Sequence, residues 1–344
     1  MNQETSSLSS RREFIRTSTA VTAGLVAAPF VITGRSAVLS PGDTIKIGLI
    51  GCGGRGNGAA SDALTASTGS MLYAMGDIYA PKMEGGLKEI EKVVTEAGGN
   101  AKERVQVPPE RRFSGLDAFE KVLASGVDVV LLTTPPGFRP MHFKAAVESG
   151  KHCFLEKPVA TDVAGVQSVR ATALLAKQKG LAVQSGFCWR ANTSRKEFFR
   201  RIHAGEIGEV RSLYHTYLAG PVKPMPPAES RPPGMGDVEW QLRNWYNFSW
   251  LSGDGLVEQA CHSIDKMAWA MNDVMPLKCT ALGGRQIPNR EGNIYDTWRS
   301  ITSGPTACAA SWRSVRLPDV TARRRITSPA AKAWACSADG AARN

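Results

Sequence analysis

The chain has 344 residues, of which 42% are hydrophobic and 21% charged, a composition typical of a folded protein large enough for two domains. Its formal net charge of +11 is concentrated at the ends: residues 1–40 carry +2 and residues 297–344 carry +6, which leaves +3 for the residues between them. A basic face on the folded body is therefore not expected, and no nucleic-acid partner is predicted. Seven cysteines without paired spacing argue against a disulfide framework and a zinc site, and no metal is predicted.

The amino-terminal segment has the pattern of an export signal. Residues 10–16 read SRREFIR and precede a mildly apolar run, residues 20–33, that is too short to span a bilayer. We predict that residues 1–40 are a twin-arginine signal region, that the twin-arginine export machinery is a partner, and that the location is periplasmic or extracytoplasmic. A disordered basic arm is the alternative. Because this route suits proteins that fold around a cofactor before export, we expect a tightly held cofactor.

A glycine-rich turn follows the first strand-like segment. Residues 45–58 read IKIGLIGCGGRGNG, which predicts a buried strand, a glycine turn and the start of a helix. Gly51 would permit the tight bend, Gly53 would let the backbone approach a pyrophosphate, and Gly56 would let the helix pack close to the strand. The turn therefore predicts a dinucleotide site.

An acidic residue stands at the spacing that a dinucleotide site requires. A second strand-like run, residues 71–75, is followed by Asp77, whose carboxylate would hold the hydroxyls of an adenosine ribose. Asp77 favours NAD because a carboxylate repels a 2′-phosphate, whereas Tyr79 and Lys82 nearby leave NADP open.

Two further strand-like runs end in residues suited to ligand binding. The run at residues 127–132 ends at Thr133-Thr134-Pro135, and residues 151–158 read KHCFLEKP, a strand that ends in the pair Glu156-Lys157. Because parallel strands place their carboxyl ends on one edge of a sheet, these residues would lie beside the glycine turn. We predict a doubly wound, parallel Rossmann sheet over residues 41–187.

Together these motifs resemble the Gfo/Idh/MocA oxidoreductase family, which includes glucose-fructose oxidoreductase and inositol dehydrogenase. The resemblance rests on the glycine turn, the run DVVLLTTPP at residues 128–136 with His142 after it, and the EKP motif, and it covers residues 45 to about 296. It implies that Lys157 reaches the reacting carbinol, that Pro158 forms a cis turn, and that Arg190 faces substrate.

A second group of reactive side chains follows a Gly-Asp-Gly break. Residues 255–265 read as a helix, which would place Glu258 and His262 one turn apart on a shared face. A carboxylate so placed can orient an imidazole that takes a hydroxyl proton. The resemblance implies that an acid and a histidine at this spacing complete the site with Lys157, although the family acid is usually Asp.

The remaining carboxyl-terminal half is predicted to be a substrate domain. Residues 188–296 would form an α+β domain with an open mixed sheet. Five aromatic residues lie within residues 240–250, and Trp245 and Tyr246 are candidates to bind a sugar ring, with a core role for most of these rings as the alternative. Residues 297–344 show no sustained strand or helix period, so we predict an anomalous basic tail, either an altered ending or a divergent one, and an incomplete sheet.

We therefore predict an exported NAD(P)-dependent oxidoreductase that acts on a sugar, cyclitol or polyol, with NAD as the favoured cofactor. The alternatives are a glycosidase that oxidises its sugar transiently with bound NAD, and a non-catalytic cofactor-binding scaffold. A homo-oligomer is left open. The predicted catalytic residues are Lys157, His262 and Glu258. The predicted substrate residues are Arg190, Trp245, Tyr246 and His262. The predicted cofactor residues are Gly51, Gly53, Gly54, Arg55, Gly56, Asp77, Thr133, Thr134, Pro135, His142, Glu156 and Lys157.

Overall fold

The computed structural model describes residues 43–220, 222–286 and 291–304, together with the backbone of residues 309–316. The predicted signal region, residues 1–40, lies outside the described residues, as do residues 317–344 of the predicted tail. Among the described helices, none combines the length and apolar character needed to cross a bilayer.

The described strands form two sheets. They are β1 (Ile45–Ile50), β2 (Ser70–Asp77), β3 (Arg112–Ser114), β4 (Val129–Leu132), β5 (His152–Leu155), β6 (Val183–Ser185), β7 (Ser212–Ala219), β8 (Lys278–Gly284), β9 (Thr297–Ser303) and β10 (Ala309–Arg316). The α-helices are α1 (Gly54–Ala66), α2 (Ala80–Glu96), α3 (Ala101–Arg104), α4 (Ala118–Ala124), α5 (Arg139–Glu148), α6 (Val163–Gln178), α7 (Thr193–His203), α8 (Asp237–Arg243), α9 (Ser249–Ser252) and α10 (Cys261–Ala270). A π-helical turn (Leu256–Ala260) precedes α10.

The first sheet has six parallel strands in the order β3-β2-β1-β4-β5-β6. Strand β1 lies in the centre, and its last four residues are buried because helices cover both faces of the sheet. One hydrophobic core includes residues of α1 and α2, and the other includes residues of α4 and α5. The strand order reverses between β1 and β4, where doubly wound sheets bind ligands. The predicted Rossmann architecture is confirmed.

The second sheet has four strands in the order β7-β10-β9-β8. It is mixed, because β10 runs parallel to β7 and antiparallel to β9, and β8 runs antiparallel to β9. Strand β7 alternates exposed and half-buried residues, and its Leu213 and Tyr217 pack against the cluster formed by Ala260 and Met267. The predicted α+β half with an open mixed sheet is confirmed.

The prediction of an anomalous tail over residues 297–344, made because the segment lacks a sustained strand period, does not hold for residues 297–303 and 309–316, which form β9 and β10. Strand β9 pairs on both sides, with β8 and with β10. Trp298 packs against the cluster of Ala260 and Met267, and Ser300 is buried. The Ser- and Thr-rich sequence carries little strand signal of its own, because its register is set by backbone pairing with neighbours distant in sequence.

Candidate active site

The glycine turn joins β1 to α1 and leaves backbone exposed beside the end of the sheet. Gly51 has a φ of +98°, and a Cβ on it would lie 2.7 Å from the backbone nitrogen of Thr134. A Cβ on Gly56 would lie 2.0 Å from the carbonyl oxygen of Gly51, so α1 packs directly on the turn. At Gly53 and Gly54, in contrast, a Cβ would meet no atom within 4 Å. Open backbone at the N-terminus of α1 fits a pyrophosphate.

Asp77 ends β2 and is buried next to the glycine turn. Its Oδ2 atom accepts the N–H of Cys52 at 2.8 Å, and its Oδ1 atom accepts the N–H of Tyr79 at 2.9 Å. These amide donors fix the orientation of the carboxylate, and its remaining lone pairs can accept ribose hydroxyls. The position suits the predicted ribose role, which stays a prediction.

The residues that follow β4 lie against the glycine turn, and one of them donates a hydrogen bond to it. The Thr133 hydroxyl donates to the Gly51 carbonyl oxygen at 2.6 Å, which occupies its one proton inside the protein. Thr134 Oγ1 lies 3.1 Å from Nδ1 of His142, and Pro135 begins the short turn that leads into α5. Thr133, Thr134 and Pro135, all predicted as cofactor residues, therefore lie at the edge of the site. The hydroxyl proton of Thr133 is used in the hydrogen bond to the glycine turn.

Sequence reasoning missed Arg139, the most heavily bonded side chain at this edge. It is fully buried and donates to the carbonyl oxygens of Pro158 at 3.0 Å, Leu132 at 2.5 Å and Thr134 at 2.7 Å. Burial lowers the pKa of Arg139 to about 10. Its guanidinium ties the end of β4 to the EKP turn, where the Lys157–Pro158 bond is cis as the resemblance implied. An arginine at the start of a helix reads as an ordinary surface residue, so the sequence carried no signal for this role.

His142 is buried against the same edge and stacks on Phe119, with ring centroids 4.4 Å apart. Burial and the guanidinium of Arg139 lower the pKa of His142 to about 4. The imidazole is therefore neutral at neutral pH, and it supports Thr134 from within the core.

We expect His142 to make the fold sensitive to acid. The unfolded chain binds a proton at this histidine below about pH 6.5, whereas the native chain does so only below about pH 4. Stability therefore falls as the pH drops through this window, by about 3 kcal/mol between pH 7 and pH 4. Urea unfolding of the wild type and His142→Gln over this range measures the effect, because the variant should lose that much less stability. Parallel pH curves for the two proteins would contradict the assignment.

An ion pair connects the glycine turn to the EKP motif. Arg55 Nε donates to Glu156 Oε1 at 2.6 Å, and the backbone N–H of Lys157 donates to Glu156 Oε2 at 3.1 Å. A Cβ on Gly186 would lie 2.9 Å from the same Oε2 atom, so this glycine leaves room for the carboxylate. Arg55 and Glu156, both predicted as cofactor residues, thus hold the ends of β1 and β5 together.

Lys157 extends from the EKP motif to the π-helical turn. Its Nζ atom donates to Oε1 of Glu258 at 2.9 Å and also to the Glu258 carbonyl oxygen. Only 13% of the Lys157 side chain and 11% of the Glu258 side chain are exposed, so the ion pair is largely shielded from solvent. The structure therefore brings together two of the predicted catalytic residues, which are 101 positions apart in sequence.

His262 lies in the first turn of α10, and the predicted bond between Glu258 and its imidazole does not form. The Glu258 carboxylate bonds Lys157 and Gln259, whereas His262 Nδ1 is buried without a hydrogen-bond partner among the described residues. The π-helical turn changes the helical phase between the two residues, and the Lys157 ammonium attracts the carboxylate. Burial and the ammonium groups of Lys157 and Lys266 lower the pKa of His262 to about 4.

Trp189, which the sequence analysis did not select, contacts His262. The two ring centroids are 4.9 Å apart, and Phe187 approaches His262 edge-on at 6.2 Å. Both aromatic residues follow β6 at the same edge as the EKP motif, a position that could have singled them out. They form an apolar wall beside the imidazole.

The resemblance implied that Arg190 faces substrate, but its guanidinium bonds two carboxylates of the protein instead. Its Nε donates to Asp265 Oδ1 at 2.8 Å, and its Nη1 and Nη2 atoms bond both oxygens of Asp273. These carboxylates raise the pKa of Arg190. The guanidinium therefore ties the segment after β6 to α10, because the two carboxylates saturate most of its donors.

The aromatic segment at residues 240–250 is mostly core. Tyr246 is 2% exposed, and Trp240 and Phe248 are also buried, so the predicted substrate role of Tyr246 is wrong. Trp245 is half-buried and packs edge-on against Tyr246. The core alternative holds for Trp240, Tyr246 and Phe248, because burying such large rings removes much apolar surface from water.

Comparison with known proteins shows what this chain is similar to. Residues 45–187 match the Gfo/Idh/MocA family, described as "Oxidoreductase family, NAD-binding Rossmann fold". Over 230 residues the chain is 26% identical to inositol 2-dehydrogenase 3 of Saccharopolyspora erythraea, which covers 67% of this chain and 54% of that protein. Over 178 residues it is 26% identical to a glycosyl hydrolase family 109 protein of Streptomyces coelicolor, covering 51% of this chain and 34% of that protein. The chain thus spans about half or less of the length of these curated relatives.

A solved structure shares the fold. The WlbA dehydrogenase from Chromobacterium violaceum, in complex with NADH and UDP-GlcNAcA, is similar with a TM-score of 0.58 and 19% identity, over 82% of this chain and 70% of that one. The family match covers the segment that contains the glycine turn, Asp77 and the EKP motif. Residues 45–187, which form the parallel sheet and its helices, are therefore similar to the NAD-binding Rossmann domain of the Gfo/Idh/MocA oxidoreductase family.

Proposed function

We propose that this chain is an NAD(P)-dependent oxidoreductase that transfers a hydride between a carbinol carbon of a sugar, cyclitol or polyol and the nicotinamide of a tightly held cofactor. The observation that carries the proposal is the ion pair of Lys157 with Glu258 at the carboxyl edge of the sheet that bears the glycine turn, where the Lys157 ammonium also acts electrostatically on His262. The similarity to an inositol 2-dehydrogenase supports a cyclic polyol as the substrate class.

The cofactor, when bound, supplies the hydride acceptor or donor. His262 accepts the hydroxyl proton on a ring nitrogen, because burial keeps its imidazole neutral at neutral pH. A histidine whose pKa is about 4 is a stronger acid when protonated than an ordinary imidazolium, so it returns the proton readily in the reductive direction. The Lys157 ammonium stabilises negative charge that develops on the substrate oxygen. Glu258 acts as a positioning residue, since its carboxylate and carbonyl oxygen both hold the Lys157 ammonium.

We further propose that the chain is exported by the twin-arginine route with its cofactor already bound. The support is the SRREFIR motif at residues 10–16 and the expectation that a nicotinamide enzyme outside the cytoplasm retains its cofactor. Fractionation of native cells, with detection of the chain in the periplasmic fraction, tests the location.

The first test of function is to identify any nucleotide released from the purified, acid-denatured protein by absorbance and mass. We expect stoichiometric NAD(H) or NADP(H), followed by reduction of the cofactor when the protein is incubated with a panel of inositols and aldoses. His262→Asn should bind the cofactor and fail to turn over, because it lacks the proton acceptor. Retained nucleotide without turnover on any polyol would point instead to a non-catalytic scaffold.

A second candidate is a glycosidase that oxidises its sugar transiently, eliminates the aglycone and reduces the sugar again. The similarity to a glycosyl hydrolase family 109 protein favours it. Release of an aglycone from a chromogenic glycoside, without net change in cofactor absorbance, would select this candidate over a net dehydrogenase.

A further inference from the structure

The Gly-Asp-Gly break before the π-helical turn places an aspartate in an unusual backbone conformation. Asp254 has a φ of +65°, in the left-handed region that residues with a Cβ seldom adopt. An aspartate tolerates this region because its short carboxylate can bond nearby backbone groups. Its Oδ1 atom accepts the N–H of Leu256, the first residue of the π-helical turn, at 2.9 Å. The carboxylate therefore fixes the direction in which this turn begins.

Asp254 also connects the turn to two other segments. Its backbone N–H donates to the hydroxyl of Ser252, a fully buried residue at the end of α9, at 3.0 Å. The backbone N–H of Tyr295, two residues before β9, faces the Asp254 carboxylate and favours its ionised form. The aspartate thus joins α9, the π-helical turn and the approach to the second sheet.

The π-helical turn carries the group that holds Lys157. Glu258 lies in this turn, and both its carboxylate and its carbonyl oxygen accept hydrogen bonds from Lys157 Nζ. Gln259, the next residue, donates from Nε2 to Oε2 of Glu258. Because Glu258 follows Leu256 by two residues, a shift at the start of the turn moves it. The position of the Lys157 ammonium therefore depends on the hydrogen bond between Asp254 and Leu256.

The ionisation of Asp254 is controlled by burial and by backbone donors. Burial raises the pKa of Asp254 to about 7, and the two backbone N–H groups that face it oppose this shift. The titratable side chains nearest to it along the adjoining segments are Glu258, Tyr295 and Asp296. Glu258 is paired with Lys157, and Asp296 accepts hydrogen bonds from a backbone N–H and a hydroxyl. In the part of the chain that the structure describes, no charged side chain contributes to the shift.

We propose that Asp254 is a positioning residue for hydride transfer, whose ionised carboxylate holds the π-helical turn so that Glu258 presents the Lys157 ammonium to the reacting oxygen. The inference rests on the proposed oxidoreductase function. Protonation replaces the charge-assisted hydrogen bond to Leu256 with a neutral one, which is about half as strong. The turn is then held less tightly, and the ammonium is less well placed to stabilise a developing alkoxide. Turnover therefore rises as Asp254 ionises, separately from the rise that accompanies deprotonation of His262 near pH 4.

The pH dependence of the turnover number, measured with an oxidised polyol and saturating cofactor, tests this role. For the wild type we expect about a three- to tenfold rise with a midpoint near pH 7. Asp254→Asn keeps an acceptor for Leu256 and tolerates the left-handed region, so it should fold, lack this rise and stay near the lower plateau of the wild type. Asp254→Gly accepts the same φ without an acceptor and should turn over more slowly at every pH. Asp237→Asn is the matched control, since Asp237 is exposed at the start of α8.

NMR gives a second readout that needs no substrate. The side-chain amide of Gln259, which donates to Glu258, should titrate with a midpoint near pH 7 in the wild type and lose this titration in Asp254→Asn. The proposal is overturned if the wild-type amide does not titrate there, or if turnover rises equally in the wild type and Asp254→Asn. A Gln259 titration without turnover of any polyol would instead overturn the proposed function and leave the coupling of Asp254 to Glu258 intact.

Discussion

Gly56→Ala is expected to destabilise the nucleotide-binding half by about 3 kcal/mol or more, because a core position that cannot accommodate one added methyl group must shift its backbone. The added Cβ would lie 2.0 Å from the carbonyl oxygen of Gly51 and 2.7 Å from the hydroxyl of Thr133. The first of these atoms belongs to the backbone and cannot rotate away, so α1 would have to move off the end of β1. Chemical unfolding, followed by circular dichroism, measures the loss.

Gly54→Ala is the matched control for that experiment. Gly54 lies two residues earlier in the same helix, and a Cβ on it would meet no atom within 4 Å. Its stability should stay within about 1 kcal/mol of the wild type, with a small gain from the higher helix propensity of alanine. Equal stability of the Gly56 and Gly54 variants would show that α1 does not pack on the turn as described.

Lys157→Met is expected to lower the turnover number about 100- to 1,000-fold, because methionine fills the space of the stem without supplying charge to the reacting oxygen. The same change should raise the pKa of His262 above about 4, since it removes one of the two ammonium groups that disfavour the imidazolium. The pKa should remain below the ordinary histidine value, because burial is the larger cause and persists. An NMR titration of His262 measures the shift without any knowledge of the substrate.

The control for this variant is Lys144→Met. Lys144 is exposed on α5 and pairs only with Glu148, one turn away, among the described residues. It should leave both turnover and the His262 titration unchanged. An unaltered His262 pKa in Lys157→Met would contradict the proximity of the two groups, and unaltered turnover would remove Lys157 from the mechanism.

The parts of the site that could be predicted are local in sequence. The glycine turn, Asp77, the Thr133-Thr134-Pro135 edge and the EKP motif each follow a strand directly. Because parallel strands end on one edge, their order along the chain was sufficient to predict their proximity. The structure places all four at that edge.

The predictions that failed concern side chains with a choice of partner. Helical spacing predicted that the Glu258 carboxylate lies beside His262. The carboxylate instead bonds Lys157, 101 positions away. A charged ammonium forms a stronger hydrogen bond with a carboxylate than a neutral imidazole does. Arg190 forms ion pairs with Asp265 and Asp273 instead of facing a substrate site. Tyr246 is buried in the core instead of being available to bind a sugar ring. These alternative partners lie far away in the sequence, so a short segment does not predict them.

The sequence by itself therefore determined the Rossmann half and the motifs that lie at its carboxyl edge, because strand periodicity, glycine conformation and charge are properties of short segments. Only the tertiary structure decided which carboxylate pairs with which cation, how the Arg139 guanidinium bonds the EKP turn, and that residues 297–303 and 309–316 form two strands of the second sheet. Those outcomes depend on hydrogen bonds and burial between segments far apart in the chain, where the local pattern of residues exerts little influence.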